Sequence, residues 1–177
     1  MTNIQKNTLS FSCSKSMKWL RTPTEIWANL IKEFNFTIDI CASDANHLLP
    51  RYYTKENSAL NHDGTGEFAY IHPVFDGKIG KFVEKAFHTK NLTAVFLLPA
   101  STHTKYFHEY MYKNPNCEIR FLRKGPTGFH FGNDDGSMEE GKIGYIKPLM
   151  LVIMKNPAEN TFELKDGIIN GKLFIPL

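Results

Sequence analysis

Two stretches of the chain are almost wholly apolar: Thr93-Ala94-Val95-Phe96-Leu97-Leu98-Pro99 and Pro148-Leu149-Met150-Leu151-Val152-Ile153-Met154. Neither alternates polar with apolar residues. Each therefore reads as a strand buried on both faces, the pattern of a parallel sheet covered by helices. The rest of the chain supplies the covering elements. Pro23 and Thr24 open a helix whose apolar face is Ile26, Trp27, Leu30, Ile31 and Phe34, with Thr22 or Thr24 as its cap. Phe36 to Cys41 follows as a strand. Phe68, Tyr70 and Ile71 form a second short strand, which ends at Pro73 because proline has no N–H for a ladder. Phe82, Val83, Ala86 and Phe87 then recur at helical spacing. A helix over about 103–113 and a strand over 117–122 complete the series. The expected architecture is a Rossmann-like α/β domain, a mostly parallel sheet flanked by helices.

With 177 residues the chain favours one domain, and at 42% hydrophobic it builds a sizeable core. Residues 1–17 are polar and read as a flexible arm, leaving 18–177 as the single domain. No apolar run approaches the ~20 residues of a membrane span, and the N-terminus has no apolar signal-peptide core. Cys13, Cys41 and Cys117 are scattered and odd in number, which points to a reducing cytoplasm rather than a disulfide framework. The net charge of +3 permits a polyanionic partner without requiring one. Basic residues concentrate between 101 and 131, where Lys105, Lys113, Arg120, Arg123 and Lys124 outnumber Glu109 and Glu118. On charge alone that is a solvated surface. Residues 42–66 form a connection long enough to suggest a functional loop. Residues 123–142 read as a loop or hairpin, and Asp166-Gly167 and Asn170-Gly171 are hairpin-turn signals in the tail.

The turn His72-Pro73-Val74-Phe75 sits where a strand meets a helix, the edge at which α/β enzymes place ligands. Methylating an exocyclic amino group needs acceptors that fix the N–H bonds and an aromatic face for a base taken out of its stack. A turn reading polar–Pro–x–aromatic offers these parts. Here they are the His72 side chain, the Pro73 carbonyl and the Phe75 ring. Alone the tetrapeptide is more often a structural turn with a core phenylalanine.

Its surroundings form an ordered series: Trp19-x-x-Thr22-Pro23, a helix ending EFNF, TIDICAS, RYYT, the HPVF turn, VFLLPASTHTKYFHEYM and IRFLRKGPTGFHFG. That series resembles the small phage and prophage DNA N-6-adenine methyltransferases of Dam type, over about residues 18–155. The resemblance implies a class-I methyltransferase fold and methyl transfer from S-adenosylmethionine to an adenine of double-stranded DNA. Trp19, Thr22 and Pro23 would line the cosubstrate pocket, and Asp39, at a strand end, would meet its amino group or ribose. Asp39 capping a local turn is the structural alternative. Lys105, Arg120, Arg123 and Lys124 would contact DNA, with loop 124–136 as the target-recognition element. Phe129, His130 and Phe131 divide between groove contact and hairpin packing. No GxGxxG loop is present, which disfavours a nicotinamide or flavin site.

The chain departs from the family pattern at the turn. His72 replaces Asn or Asp, Val74 replaces a second Pro, and Phe75 replaces Tyr. A neutral imidazole has at most one acceptor nitrogen, and its tautomer must be fixed by a neighbour. The family's Gly-Arg pair is displaced as Arg123-Lys124-Gly125, and its TDT triplet is Thr102-His103-Thr104. His62 stands where members often carry Trp. His72 and His103 facing one cleft would offer metal or acid–base chemistry, but their spacing matches no metal signature. Three readings fit: a working amino-methyltransferase, a methyltransferase-fold protein that only binds DNA or cosubstrate, and an enzyme of different chemistry on a base.

Overall fold

The computed structural model describes residues 20–75, 77–123, 130–131 and 148–158. The N-terminal arm, Trp19, Lys124, most of loop 124–136 and the two expected tail turns lie outside the described residues. In chain order the elements are β1 (Leu20–Arg21), α1 (Thr24–Glu33), β2 (Ile38–Asp39), β3 (Phe68–Ile71), α2 (Ile79–His88), β4 (Thr93–Pro99), β5 (Cys117–Phe121), β6 (His130–Phe131) and β7 (Leu149–Lys155). A 3-10 turn occupies Ala59–Asn61 and a π-helical turn Phe107–Met111.

Five strands form one sheet in the order β2-β3-β4-β7-β5, and β1 pairs antiparallel with β6 in a separate ribbon. The β2–β3 and β3–β4 pairs are parallel, whereas β4–β7 and β7–β5 are antiparallel. Two reversals bring β5 back into the direction of β4. Four strands thus run one way and β7 runs against them. The expected parallel sheet holds for strand direction, but half of its neighbour pairs are antiparallel. A continuous apolar run reports burial on both faces, which the centre of a mixed sheet imposes as strongly as a parallel one. Ala94 to Pro99 and Met150 to Met154 are all buried. Burying each large aliphatic or aromatic side chain there contributes about 2 kcal/mol.

Successive residues point to opposite faces. One face of the sheet packs Tyr70, Val95, Leu97, Leu151 and Ile153 against Leu30 and Phe34. The other packs Ile71, Phe96, Leu98 and Val152 against α2 and the π-helical turn through Val83, Ala86, Phe107 and Met111. Of the expected helix faces, Leu30, Phe34, Val83 and Ala86 are buried, while Ile26, Trp27, Phe82 and Phe87 are partly buried. Ile31 is 50% exposed, because it lies a third of a turn beyond the Leu30–Phe34 line. The expected caps also change. Neither Thr22 nor Thr24 caps α1, whose N-cap position is Pro23 with no side-chain hydrogen bond. The helix expected over 103–113 closes instead as the π-helical turn, with the Tyr112 N–H donating to the Phe107 carbonyl at 2.8 Å. Asn114 then caps it, donating to the Tyr110 carbonyl at 2.9 Å, and Pro115 stops further winding.

Candidate active site

The parallel strands β2 and β3 end side by side, and a cleft of about 780 Å³ opens over their carboxyl ends. That volume suits a ligand of nucleoside size. Asp39 is the last residue of β2 and pairs in register with Tyr70 of β3. In-register neighbours face the same side, so the acid and the phenol share the α1 face, and alternation returns His72 to it. β3 ends at Ile71, and His72, Pro73, Val74 and Phe75 then run along the cleft wall.

Thr22 joins this wall to the entry of α1. Its Oγ1 lies 2.7 Å from the Tyr70 hydroxyl and 3.0 Å from His72 Nδ1. The hydroxyl expected to cap a helix therefore serves the cleft. Tyr70 is 1% exposed, and burial drives its phenol well above the ordinary range. Burial also holds the His72 imidazole down at about 4, so the ring is uncharged at neutral pH. The Phe75 ring lies 5.3 Å from it at a tilt of 57°. Phe75 is partly buried: one side meets the core and the ring still lines the cleft. Pro73 is buried.

Asp39 closes a local turn and also stands at the cleft. Its carboxylate accepts the Leu48 N–H at 3.1 Å and the Cys41 N–H at 3.4 Å, which closes the loop after β2. It also lines the cleft. Only 3% exposed, the carboxyl is pushed up to about 6 by burial, while its two N–H bonds pull the other way.

The long segment after β2 builds the opposite wall, as its length suggests. Ser43, Asn46, Thr54, Lys55, Glu56 and Ser58 supply a polar lining. Tyr53 anchors the segment to β2, its N–H donating to the Asp39 carbonyl at 2.9 Å. The Tyr53 ring stacks on His62 at 4.6 Å, and His62 Nε2 lies 2.7 Å from Asn57 Oδ1. His62 is thus a structural residue of the segment and lines a separate, smaller hollow rather than the cleft. Arg51 clamps the segment's middle to the start of β3 by a 2.7 Å ion pair with Glu67.

Of the residues predicted from the sequence, Thr22, Asp39, His72, Pro73 and Phe75 meet in this cleft. Pro23 is buried at the start of α1 and is not among the lining residues. Trp19 and Lys124 lie outside the described residues. His103 is exposed and does not share the cleft with His72. Among the described residues no cluster of three or more His, Cys, Asp or Glu side chains is placed to hold a metal. Lys105 is exposed, with Glu109 at 3.6 Å. Arg123 is exposed. Arg120 is committed elsewhere: it binds both oxygens of Glu33 at 2.7 Å and Glu118 at 2.6 Å, tying β5 to the end of α1. Sequence reasoning missed the role of Tyr70, because a tyrosine within an apolar strand reads as core. It also took the wall residues of 42–66 only as a segment, since scattered Ser, Asn and Thr carry no periodic signal.

A family model described as DNA N-6-adenine-methyltransferase (Dam) matches residues 12–169 of the chain. No curated protein matches it.

Proposed function

We propose, from the premise that the chain belongs to the DNA N-6-adenine-methyltransferase (Dam) family, that methyl transfer takes place in the cleft over β2 and β3. Family membership makes the protein an adenine-specific DNA methyltransferase, with DNA as its substrate. The observation that supports this site is the convergence of Asp39, Thr22, His72, Pro73 and Phe75 on one cavity. Had Phe75 pointed wholly into the core, or Asp39 to the opposite face, the assignment would fail.

The cleft suits S-adenosylmethionine in size and in its mixed polar and apolar lining. When bound, that cosubstrate supplies an electrophilic methyl group. Asp39 is ionised above about pH 6 and would accept from its amino group or ribose hydroxyls. Thr22 lines the same end. The Pro73 carbonyl accepts an N–H of the adenine amino group, steering the nitrogen lone pair, and the Phe75 face stacks on the flipped base. The uncharged His72 adds no cation beside the methyl donor.

The parallel β2-β3-β4 core with α1 and α2 on opposite faces supports a Rossmann-like, class-I arrangement, with 18–177 as one domain. Double-stranded DNA would approach over Arg123, with Lys105 and Lys124. Arg120 drops out of that set because Glu33 and Glu118 hold it. β6 of the 124–136 segment lies against β1, whose Leu20 and Arg21 line the cleft. That strand pairing supports a recognition role for the segment next to the target base. The natural setting of such an enzyme is a cytoplasm holding its DNA. Among the described residues no helix is long and apolar enough to cross a membrane.

The test is incorporation of a tritiated methyl group into unmodified DNA. Label is expected in N6-methyladenine. Phe75→Ala should lower kcat/KM by about 10- to 100-fold, the value of one base–aromatic stack, while cosubstrate binding by calorimetry persists. Cosubstrate binding without any label in adenine would refute the active-site assignment and favour a binding-only protein.

A further inference from the structure

β5 is the last strand in the order β2-β3-β4-β7-β5, and among the described residues no strand pairs with its outer edge. An open edge is a template for another strand unless something blunts it. The directions of its backbone groups follow from the ladder to β7. The Leu122 N–H donates to the Leu149 carbonyl and the Lys155 N–H to the Asn116 carbonyl, both at 2.9 Å. Hydrogen-bonded and non-hydrogen-bonded pairs alternate along an antiparallel ladder. In the register Glu118↔Ile153 and Arg120↔Leu151, Glu118 and Arg120 therefore bond to β7. Ile119 and Phe121 turn their N–H and C=O groups outward, and Cys117 turns its carbonyl outward. The Cys117 N–H is taken locally by the Asn114 carbonyl at 3.0 Å.

The edge sequence Cys117-Glu118-Ile119-Arg120-Phe121 is complementary to its own reverse. Apolar residues stand at both ends and in the middle, with one acid and one base between them. Alternation puts Glu118 and Arg120 on the α1 face, where Arg120 meets Glu33. Cys117 and Ile119 pack on the opposite face, and Phe121 shares it. Phe121 is 63% exposed at the end of the strand. An exposed phenylalanine alone is ordinary surface. The charges and the outward backbone groups give this one a matching partner.

We propose that two copies of the chain pair through β5, antiparallel about a two-fold axis at Ile119. The contact is isologous, so each interaction occurs twice. The two Ile119 residues exchange backbone hydrogen bonds, and each Phe121 N–H donates to the Cys117 carbonyl of the second copy. Glu118 then faces Arg120 of the second copy in a non-hydrogen-bonded pair, where side chains lie closest. On the other face each Phe121 lies against Cys117 of the second copy. Charge selects this register. Sliding by two residues one way sets Arg120 against Arg120, and the other way sets Glu118 against Glu118; like charges directly opposite are destabilising. Sliding by one residue puts outward backbone groups opposite inward ones and breaks the ladder. β5 runs in the direction of β2 and β3, so the two-fold axis sends the two clefts to opposite edges of the joined sheets. The contact uses no cleft residue.

Sedimentation velocity of the full chain over a concentration series is the test. A five-residue strand from each copy makes a small interface, so monomer and dimer should exchange in the micromolar range. Glu118→Lys places like charges opposite each other twice and should weaken association about 10-fold. Phe121→Pro should abolish it, because proline removes an outward N–H and leaves the β7 ladder intact. Both variants should keep the parent's circular dichroism spectrum. The register is read by Phe121→Cys, followed by oxidation and peptide mass spectrometry. Within one strand positions 117 and 121 are about 13 Å apart, too far for a disulfide. Across the two-fold axis their Cα atoms are about 5.5 Å apart, within reach of one. A disulfide between these two positions therefore joins two chains in the proposed register. A single-chain mass up to millimolar concentration, unchanged association in Phe121→Pro, or a link from position 121 to any cysteine other than Cys117 overturns the proposal. None of these measurements reads methylation, so the active-site assignment is tested apart from it.

Discussion

Asp39 carries a cost that pH can switch off. Burial holds its carboxyl at about 6 instead of the ordinary 3.8, against the pull of the Leu48 and Cys41 N–H groups. At about 1.4 kcal/mol per tenfold change, that gap amounts to about 3 kcal/mol when fully developed. At 3% exposure solvent screens little of it. The sign follows from which form the fold prefers. The raised folded value means the protonated acid is favoured, so its stabilising contribution is complete below about 3.8 and is lost as pH rises through about 6. Asp39→Asn replaces the acid by a neutral group of the same shape. The hydrogen-bonding change at Leu48 and Cys41 is nearly independent of pH and cancels when two pH values are compared. His72 also titrates. Its lowered folded value gives a contribution present above 6.5 and lost as pH falls towards about 4, but it does so in both proteins and cancels likewise.

The expected outcome is therefore a change in the difference between variant and parent. Between pH 4 and pH 7, Asp39→Asn should gain about 2 kcal/mol relative to the parent, because at pH 4 part of the cost is already present. Urea unfolding followed by circular dichroism at constant ionic strength measures it by linear extrapolation. A difference that stays flat across this window, or that moves in favour of the parent, would show that the carboxyl is not held protonated by burial. The same variant should bind S-adenosylmethionine more weakly. A site acid that lowers stability while serving a ligand is the usual stability–function compromise.

Two further outcomes concern the proposed DNA face and the frame behind it. Arg123→Ala should weaken DNA binding on all sequences and reduce the salt slope by about one. Arg120→Ala should leave that slope unchanged and lower stability by about 1 kcal/mol, the upper range for a surface ion pair; a salt slope near zero in the parent would remove DNA-backbone contacts from this face. Asn156 Nδ2 donates to the Ala86 carbonyl at 2.6 Å and the Thr89 carbonyl at 2.7 Å, closing the end of α2. Asn156→Leu should cost about 1–3 kcal/mol, seen as a fall in Tm on the order of 5 °C, and an unchanged Tm would show that water serves those carbonyls equally well.

The apolar runs at 93–99 and 148–154 were legible as doubly buried strands because burial on both faces leaves no polar position to alternate with. The Phe82–Phe87 face and the β3 strand were legible for the same reason: periodicity records which side of an element meets the core. The end of the β3 strand before Pro73 was legible too, since a proline has no N–H to continue a ladder. Direction was not legible. Nothing in Leu149 to Met154 says that β7 runs against β4, because an apolar side chain packs equally well on either strand sense. Arg120 looked like a DNA contact because sequence shows its charge and not Glu33, 87 residues away, whose carboxylate it grips. Thr22 looked like a helix cap because its hydroxyl's true partners, Tyr70 and His72, lie 48 and 50 residues on. The sequence by itself determined which segments are buried and where the chain turns, since those follow from local chemistry. Only the tertiary structure decided what each polar group bonds to, because a hydrogen bond is satisfied by whatever the fold brings within about 3 Å.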